Sequence, residues 1–285
     1  MFRKLLPVLC LLAMITAPVA ALAEPALWKV TNGASTVYLY GSVHLLRHAA
    51  VWDTPKVEQA LKESGELWLE IADVDNPARM QLLLMQLGLD SARPLRAKLD
   101  DTYRAKLEKA LQSLGGSTTA FDRMRPWLAA VSLNVVPLQR AGYDPEAGVD
   151  KLLKAAADKR GEPVKAFETT EQQLRYFADM TEPQEVDLLR QTLDEFDDEL
   201  ADLDQLEMAW EAGDVSRIAV LMRKDMSGDL YQLLIVRRNQ NFARQIAERM
   251  KTPGVAFVAV GAAHLAGPDS VQAQLRTYGL SAVRQ

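Results

Sequence analysis

Apolar residues fall into two kinds of run along this chain. Residues 255–260 (VAFVAV) hold six apolar or small side chains in succession, a length and composition that predict a strand buried on both faces. Residues 37–40 (VYLY), 67–71 (LWLEI) and 163–168 (PVKAFE) predict further strands. The first of these is reached through LWKVT and a turn at Asn32-Gly33, and Asn-Gly between apolar alternations predicts a hairpin. Elsewhere Leu, Met and Ala recur at helical spacing: over 80–88, 101–112 and 121–139, again after 149, and through 181–250. Thr54-Pro55 marks a helix start, Gly161 a helix end, and Asp269 or Ser270 a cap for a last helix. The pattern predicts an α/β fold, α+β in detail, with a central mixed sheet surrounded and capped by many helices. One domain is expected over residues 24–285, with a mainly helical insertion around 77–160 and further helices at 170–250.

The strands carry the candidate chemistry. VYLYGSVHL and VAFVAVGAAHL each run from an apolar strand into Gly-x-x-His-Leu, which places His44 and His264 at equivalent strand ends. The chain has three histidines, the third being His48, and two of them in matching units suggests two halves of one site. In open α/β sheets the carboxyl ends of the strands are where ligands bind. Glu70 sits among Leu67, Trp68, Leu69 and Ile71, where a buried carboxylate needs a partner. Glu168 ends the PVKAFE strand, just before a helix carrying Gln172, and either it or Thr169 can be that helix's cap. Asp150 reads as the cap of the preceding helix. Arg237 and Arg238 follow an apolar helical run, so that one of them can reach inward. The acidic residues through 181–227 read as a solvated helix face and not as a metal cluster.

The first 23 residues change where this chemistry is expected to operate. Arg3 and Lys4, an apolar core and Ala21-Leu22-Ala23 make a secretory signal cleaved before Glu24. Cleavage would remove Cys10, the only cysteine, which excludes disulfides and thiolate catalysis and leaves His and carboxylates as metal ligands. Losing Arg3 and Lys4 takes the formal charge from −5 to −7, which argues against nucleic acid or an anionic membrane as partner. No membrane anchor should remain after cleavage, and the expected location is periplasmic or secreted.

Taken in order, GSVHL (41–45), LWLEIAD (67–73), RPW (125–127), GVD (148–150), AFETTEQQ (166–173), RRN (237–239) and VGAAHLAGPDSV (260–271) resemble the TraB/GumN family, which includes the Tiki metalloproteases and is related to the erythromycin esterase and ChaN-like folds. The resemblance covers nearly all of the mature chain. It implies a site of two histidines, a glutamate and an arginine: His44, His264, Glu70 and Arg238. The Tiki members imply a peptidase-like hydrolase dependent on a divalent metal such as manganese, cobalt or zinc, while bacterial relatives are linked to peptide-pheromone shutdown or lie near polysaccharide genes. With the signal segment, the leading expectation is an exported, metal-dependent, peptidase-like hydrolase.

These residue types suffice for that chemistry. His44, His264 and Glu70 can hold a divalent ion with an open water position. Glu70 and Arg238 are the expected catalytic groups, Arg238 facing the developing oxyanion. Glu168 and Asn239 are expected behind them or against substrate. Without metal, the same set supports a histidine base oriented by Glu70. A third reading is a non-catalytic binding protein that sequesters a peptide or haem. HExxH, Gly-x-Ser-x-Gly and phosphate-cradling glycine loops are all missing from the sequence.

Overall fold

The computed structural model describes residues 24–285 apart from 48–49, 74–75, 225 and 227. The expected signal over 1–23 and His48 lie outside the described residues. In chain order the elements are β1 (Leu27–Asn32), β2 (Ser35–Ser42), α1 (Pro55–Glu63), β3 (Leu67–Leu69), α2 (Pro77–Gly88), α3 (Asp101–Ser113), α4 (Pro126–Arg140), α5 (Val149–Arg160), β4 (Val164–Ala166), α6 (Thr170–Ala178), α7 (Glu182–Glu195), α8 (Glu199–Glu211), α9 (Val215–Lys224), α10 (Gly228–Tyr231), a π-helical turn (Gln232–Val236), α11 (Arg237–Arg249), β5 (Gly254–Gly261), α12 (Val271–Leu275) and β6 (Ala282–Arg284). Among these residues no helix is long and apolar enough to cross a membrane.

One six-stranded mixed sheet, in the order β4-β3-β5-β2-β1-β6, organises the chain. β4, β3, β5 and β2 run parallel, while β1 pairs antiparallel with β2 and β6, leaving β4 and β6 as the edges. The hairpin loop is Gly33-Ala34, one residue later than the Asn-Gly signal places it, because Asn32 still pairs with Ser35. Gly33 takes φ +57°, which a glycine adopts without steric cost. β6 was not evident in the sequence; three residues, two of them exposed, carry no strand signal.

Both sheet faces are covered, which is why β5 is apolar without alternation. Tyr38, Tyr40, Leu67, Leu69, Phe257 and Ala259 face one core with α1, α5, α8 and α9, through Val57, Leu61, Leu153, Trp210 and Ile218. Val37, Leu39, Ala256, Val258 and Val260 face the other, against Phe242 and Ile246 of α11 and Val271 and Leu275 of α12. Successive β5 residues thus serve opposite layers, as a pleated strand requires. Helices α3, α4 and α7 form a separate core around Leu107, Leu111, Leu133 and Leu189. Trp127 of α4 packs beside Ala178 of α6, with Leu84 and Leu87 of α2 against them. Helix α5, although it lies within the expected insertion, packs on β3 and β4 and belongs to the sheet layers.

Candidate active site

β2 and β5 are adjacent and parallel, with Ser42 opposite Gly261, so the two Gly-x-x-His units leave the sheet side by side. Gly41 and Gly261 fall one register position apart. Gly261 has φ −48°, so its role is close approach and not a left-handed backbone. A side-chain carbon on Gly261 would stand 3.2 Å from Glu70 Oε1, 3.6 Å from His264 Cδ2 and 3.9 Å from His44 Nε2. Both histidines and the glutamate therefore surround one small space that the missing side chain leaves open.

Each imidazole is held by its other nitrogen. His264, 4 % exposed, has Nδ1 2.6 Å from Asn239 Oδ1. Asn239 in turn donates its amide to the Asp269 carbonyl at 2.7 Å. That donation fixes the amide orientation, so His264 Nδ1 carries the proton and Nε2 presents a lone pair. Nε2 stands 3.5 Å from Glu70 Oε1. Burial pushes His264 down to about 4, keeping the ring neutral. Phe242 meets the ring edge-on at 5.2 Å.

His44 Nδ1 lies 2.5 Å from Asp150 Oδ2, and Asp150 Oδ1 accepts from the Ser42 hydroxyl at 2.7 Å. Asp150 is buried in the first turn of α5, while Gly148 is the residue at the cap position. The expectation that Asp150 caps its helix is thus corrected: its side chain is taken by His44 and Ser42. Gly148 has to be small, because a Cβ there would lie 2.4 Å from the His44 carbonyl oxygen. The Asp150 carboxylate raises the proton affinity of His44, and the 63 % exposure of that side chain lets solvent screen the effect.

Glu70 lies just past the end of β3 and not inside it. It is 5 % exposed, accepting the Gly261 N–H at 2.7 Å on Oε1 and the Gln173 amide at 2.9 Å on Oε2. Arg238 Nη2 binds the same Oε2. Burial alone would raise the Glu70 pKa, but His264, Arg238 and His44 together with the Gly261 N–H outweigh it and hold the carboxyl far below its usual range.

Arg238 also binds Glu168, through Nε at 3.1 Å and Nη2 at 2.9 Å. Glu168 takes further bonds from the Tyr176 hydroxyl at 2.9 Å and Gln173 at 3.2 Å. Gln173 is the amide that reaches the site, whereas Gln172 completes a capping box with Thr169. The cap and the site residue are therefore neighbours, Thr169 and Glu168. Only Nη1 of Arg238 is lightly used, in a 3.4 Å contact with the Leu234 carbonyl. Arg237 is exposed and makes none of these bonds.

His44, His264 and Glu70 are donor types that a divalent ion accepts, but among the described residues no group of three or more His, Cys, Asp or Glu side chains is arranged to hold one. His264 Nε2 and Glu70 Oε1 nevertheless have the separation of two ligands on one ion, since donors on a tetrahedral centre at about 2.1 Å lie roughly 3.4 Å apart. Glu70, Glu168 and Asp150 against Arg238 leave two negative charges in excess when both imidazoles are neutral, and one when His44 is protonated. A divalent cation would balance the two.

The TraB/PrgY/gumN family model matches residues 26–284. The chain belongs to this family. The match takes in every strand of the sheet and all the side chains around Gly261, so the TraB/PrgY/gumN assignment and the site geometry concern the same structure. No curated protein and no solved structure matches the chain.

Proposed function

We propose that the protein is an exported, peptidase-like hydrolase that works with a divalent metal ion held by His44, His264 and Glu70. The observation that carries this reading is the pair of imidazoles whose Nδ1 atoms are both tied, to Asp150 and Asn239, with His264 Nε2 3.5 Å from Glu70 Oε1 and His44 Nε2 facing the same space at Gly261. Metal-ligating histidines are held in this way, by a carboxylate or carbonyl on the far nitrogen. The ion would supply Lewis acidity and lower the pKa of a water at neutral pH.

The chain's own residues perform the remaining tasks. Arg238 keeps Glu70 ionised and aimed, while Glu168, Tyr176 and Gln173 fix Arg238 in turn. The free edge of Nη1 is the group available to a developing oxyanion. Asn239 holds the proton on His264 Nδ1 and so keeps Nε2 a ligand or base. The substrate class is a peptide or small molecule, and the expected location is periplasmic or secreted.

Metal analysis of the purified protein, with peptide hydrolysis measured before and after chelation, tests the proposal. One manganese, cobalt or zinc ion per chain, with hydrolysis lost on chelation and restored by metal, is the expected result. Hydrolysis indifferent to chelation would favour the histidine acting directly as base. Tight ligand binding with no turnover across a broad panel of peptides and esters would favour sequestration.

A further inference from the structure

A chamber of about 340 Å³ lies between α4, α6 and α7 on one side and α8, α9 and the π-helical turn on the other. Its walls are mainly apolar, with Val135, Phe177, Leu203, Leu221, Met226 and Leu234 among them. A second cavity of about 840 Å³, more polar and carrying Tyr176 and Arg237, shares Leu188, Gln191 and Leu230 with it. The two cavities adjoin at these residues, the larger one lined by more charged and amide side chains.

Residues of the chamber and residues flanking the site pack into the same hydrophobic clusters. Leu221 and Met222 belong to the same packed cluster as Val43 and Ala262, which lie within two residues of His44 and His264. Met226 packs in one cluster with Ala263, the residue before His264. The Leu234 carbonyl meets Arg238 Nη1. The two carboxylates in the wall are partnered, Asp202 by Lys224 at 2.9 Å and Glu195 by Gln191 at 3.3 Å. Asn134, Gln191 and Thr192 add polar groups to a wall that is otherwise apolar, and the volume falls within the size range of small-ligand sites, about 300–1,000 Å³.

Resting on the hydrolase reading above, we infer that this chamber is a specificity pocket that takes a large apolar side chain beside the reacting bond of a peptide substrate. The rest of the peptide lies along the larger, more polar cavity. Binding energy then comes from removing Leu- or Phe-sized side chains from water, and a charged side chain at the same place loses its hydration against a wall that is mostly apolar.

The test uses fluorogenic peptides identical except at the position flanking the cleaved bond, carrying Leu, Phe, Gly, Asp or Lys. The metal-loaded protein should turn over the Leu and Phe peptides with kcat/KM at least tenfold above the Asp and Lys ones. Val135→Trp and Leu203→Trp, which fill the chamber from different helices, should erase that preference by raising KM for the apolar peptides. Val220→Trp, on an exposed position of α9, should leave it unchanged. Anisotropy binding of the same labelled peptides separates this proposal from the hydrolase reading. Apolar peptides that bind, lose affinity in both filled variants and are never cleaved would uphold the pocket and sink the hydrolase. Turnover without preference among the five peptides would overturn the pocket alone. Absence of binding to every peptide, or tight binding of a long-chain fatty acid in their place, would also overturn it.

Discussion

The side-chain oxygen of Asn239 stands 2.6 Å from Nδ1 of His264, and both groups are buried. Removing that acceptor strands a buried N–H, at a cost of about 1–3 kcal/mol. Asn239→Ala is therefore expected to lower stability by that amount in urea unfolding and to weaken metal binding roughly 10–100-fold. Unchanged metal affinity in a folded Asn239→Ala protein would show that His264 needs no orienting partner.

The two adjacent arginines should behave oppositely. Arg238→Ala leaves Glu70 and Glu168 buried without their cation and is expected to cost about 3–5 kcal/mol. Arg237→Ala, at an exposed position, should stay within about 0.5 kcal/mol of wild type. Chemical denaturation of the two variants side by side decides the matter. Because Arg238 holds Glu70, its loss is also expected to reduce bound metal.

Gly261→Ala tests the space between the donors. The backbone there suits any residue, so the fold should survive. The added methyl would press on Glu70 Oε1 at 3.2 Å and stand within 4 Å of both histidine rings. Metal binding and turnover should fall at least tenfold with little change in Tm.

His264 gives the metal-free protein a predictable pH dependence. Its folded pKa, about 4, lies below the ordinary 6.5, so the unfolded chain takes up a proton between those values that the folded chain does not. Stability should therefore fall as pH drops from 6.5 towards 4, by up to roughly 3 kcal/mol. His44 has the opposite sign, its raised pKa adding stability below 6.5 that is lost as pH rises. Solvent screening at its exposed side chain makes that contribution the smaller one. His264→Gln should flatten the slope between pH 6.5 and 4, and an unaltered slope would mean that His264 is protonated in the folded state.

The sheet and the paired histidines were legible in the sequence because their signals are local. A fully apolar strand, a glycine and a histidine three residues on appear twice, and the structure pairs those strands directly. Glu70 was readable as a buried carboxylate. Its place past the strand end was not, because the β3–β4 pairing ends at Leu69 and Ala166, the last register pair of a partner strand about a hundred residues away. Asp150 was hidden for a different reason. An aspartate at a helix start is an ordinary capping signal, and only the fold, bringing α5 under the end of β2, reveals the 2.5 Å contact with His44. Gln173 was masked by Gln172, whose capping spacing is the stronger local pattern. Nothing local marks the chamber, whose walls come from helices spread between residues 126 and 234.

The place of β5 in the sheet bears on how the molecule is made. Residues 254–261 insert between β2 and β3, both formed from the first fifty described residues. Until they emerge from the ribosome, β2 and β3 each present an open edge, and His264 and the Gly261 N–H do not yet exist to meet His44 and Glu70. Pairings of such long sequence separation form late and slowly. A chain interrupted before Gly254 would hold most of the helices without His264 or the Gly261 N–H, so the candidate site stays incomplete until synthesis is almost finished.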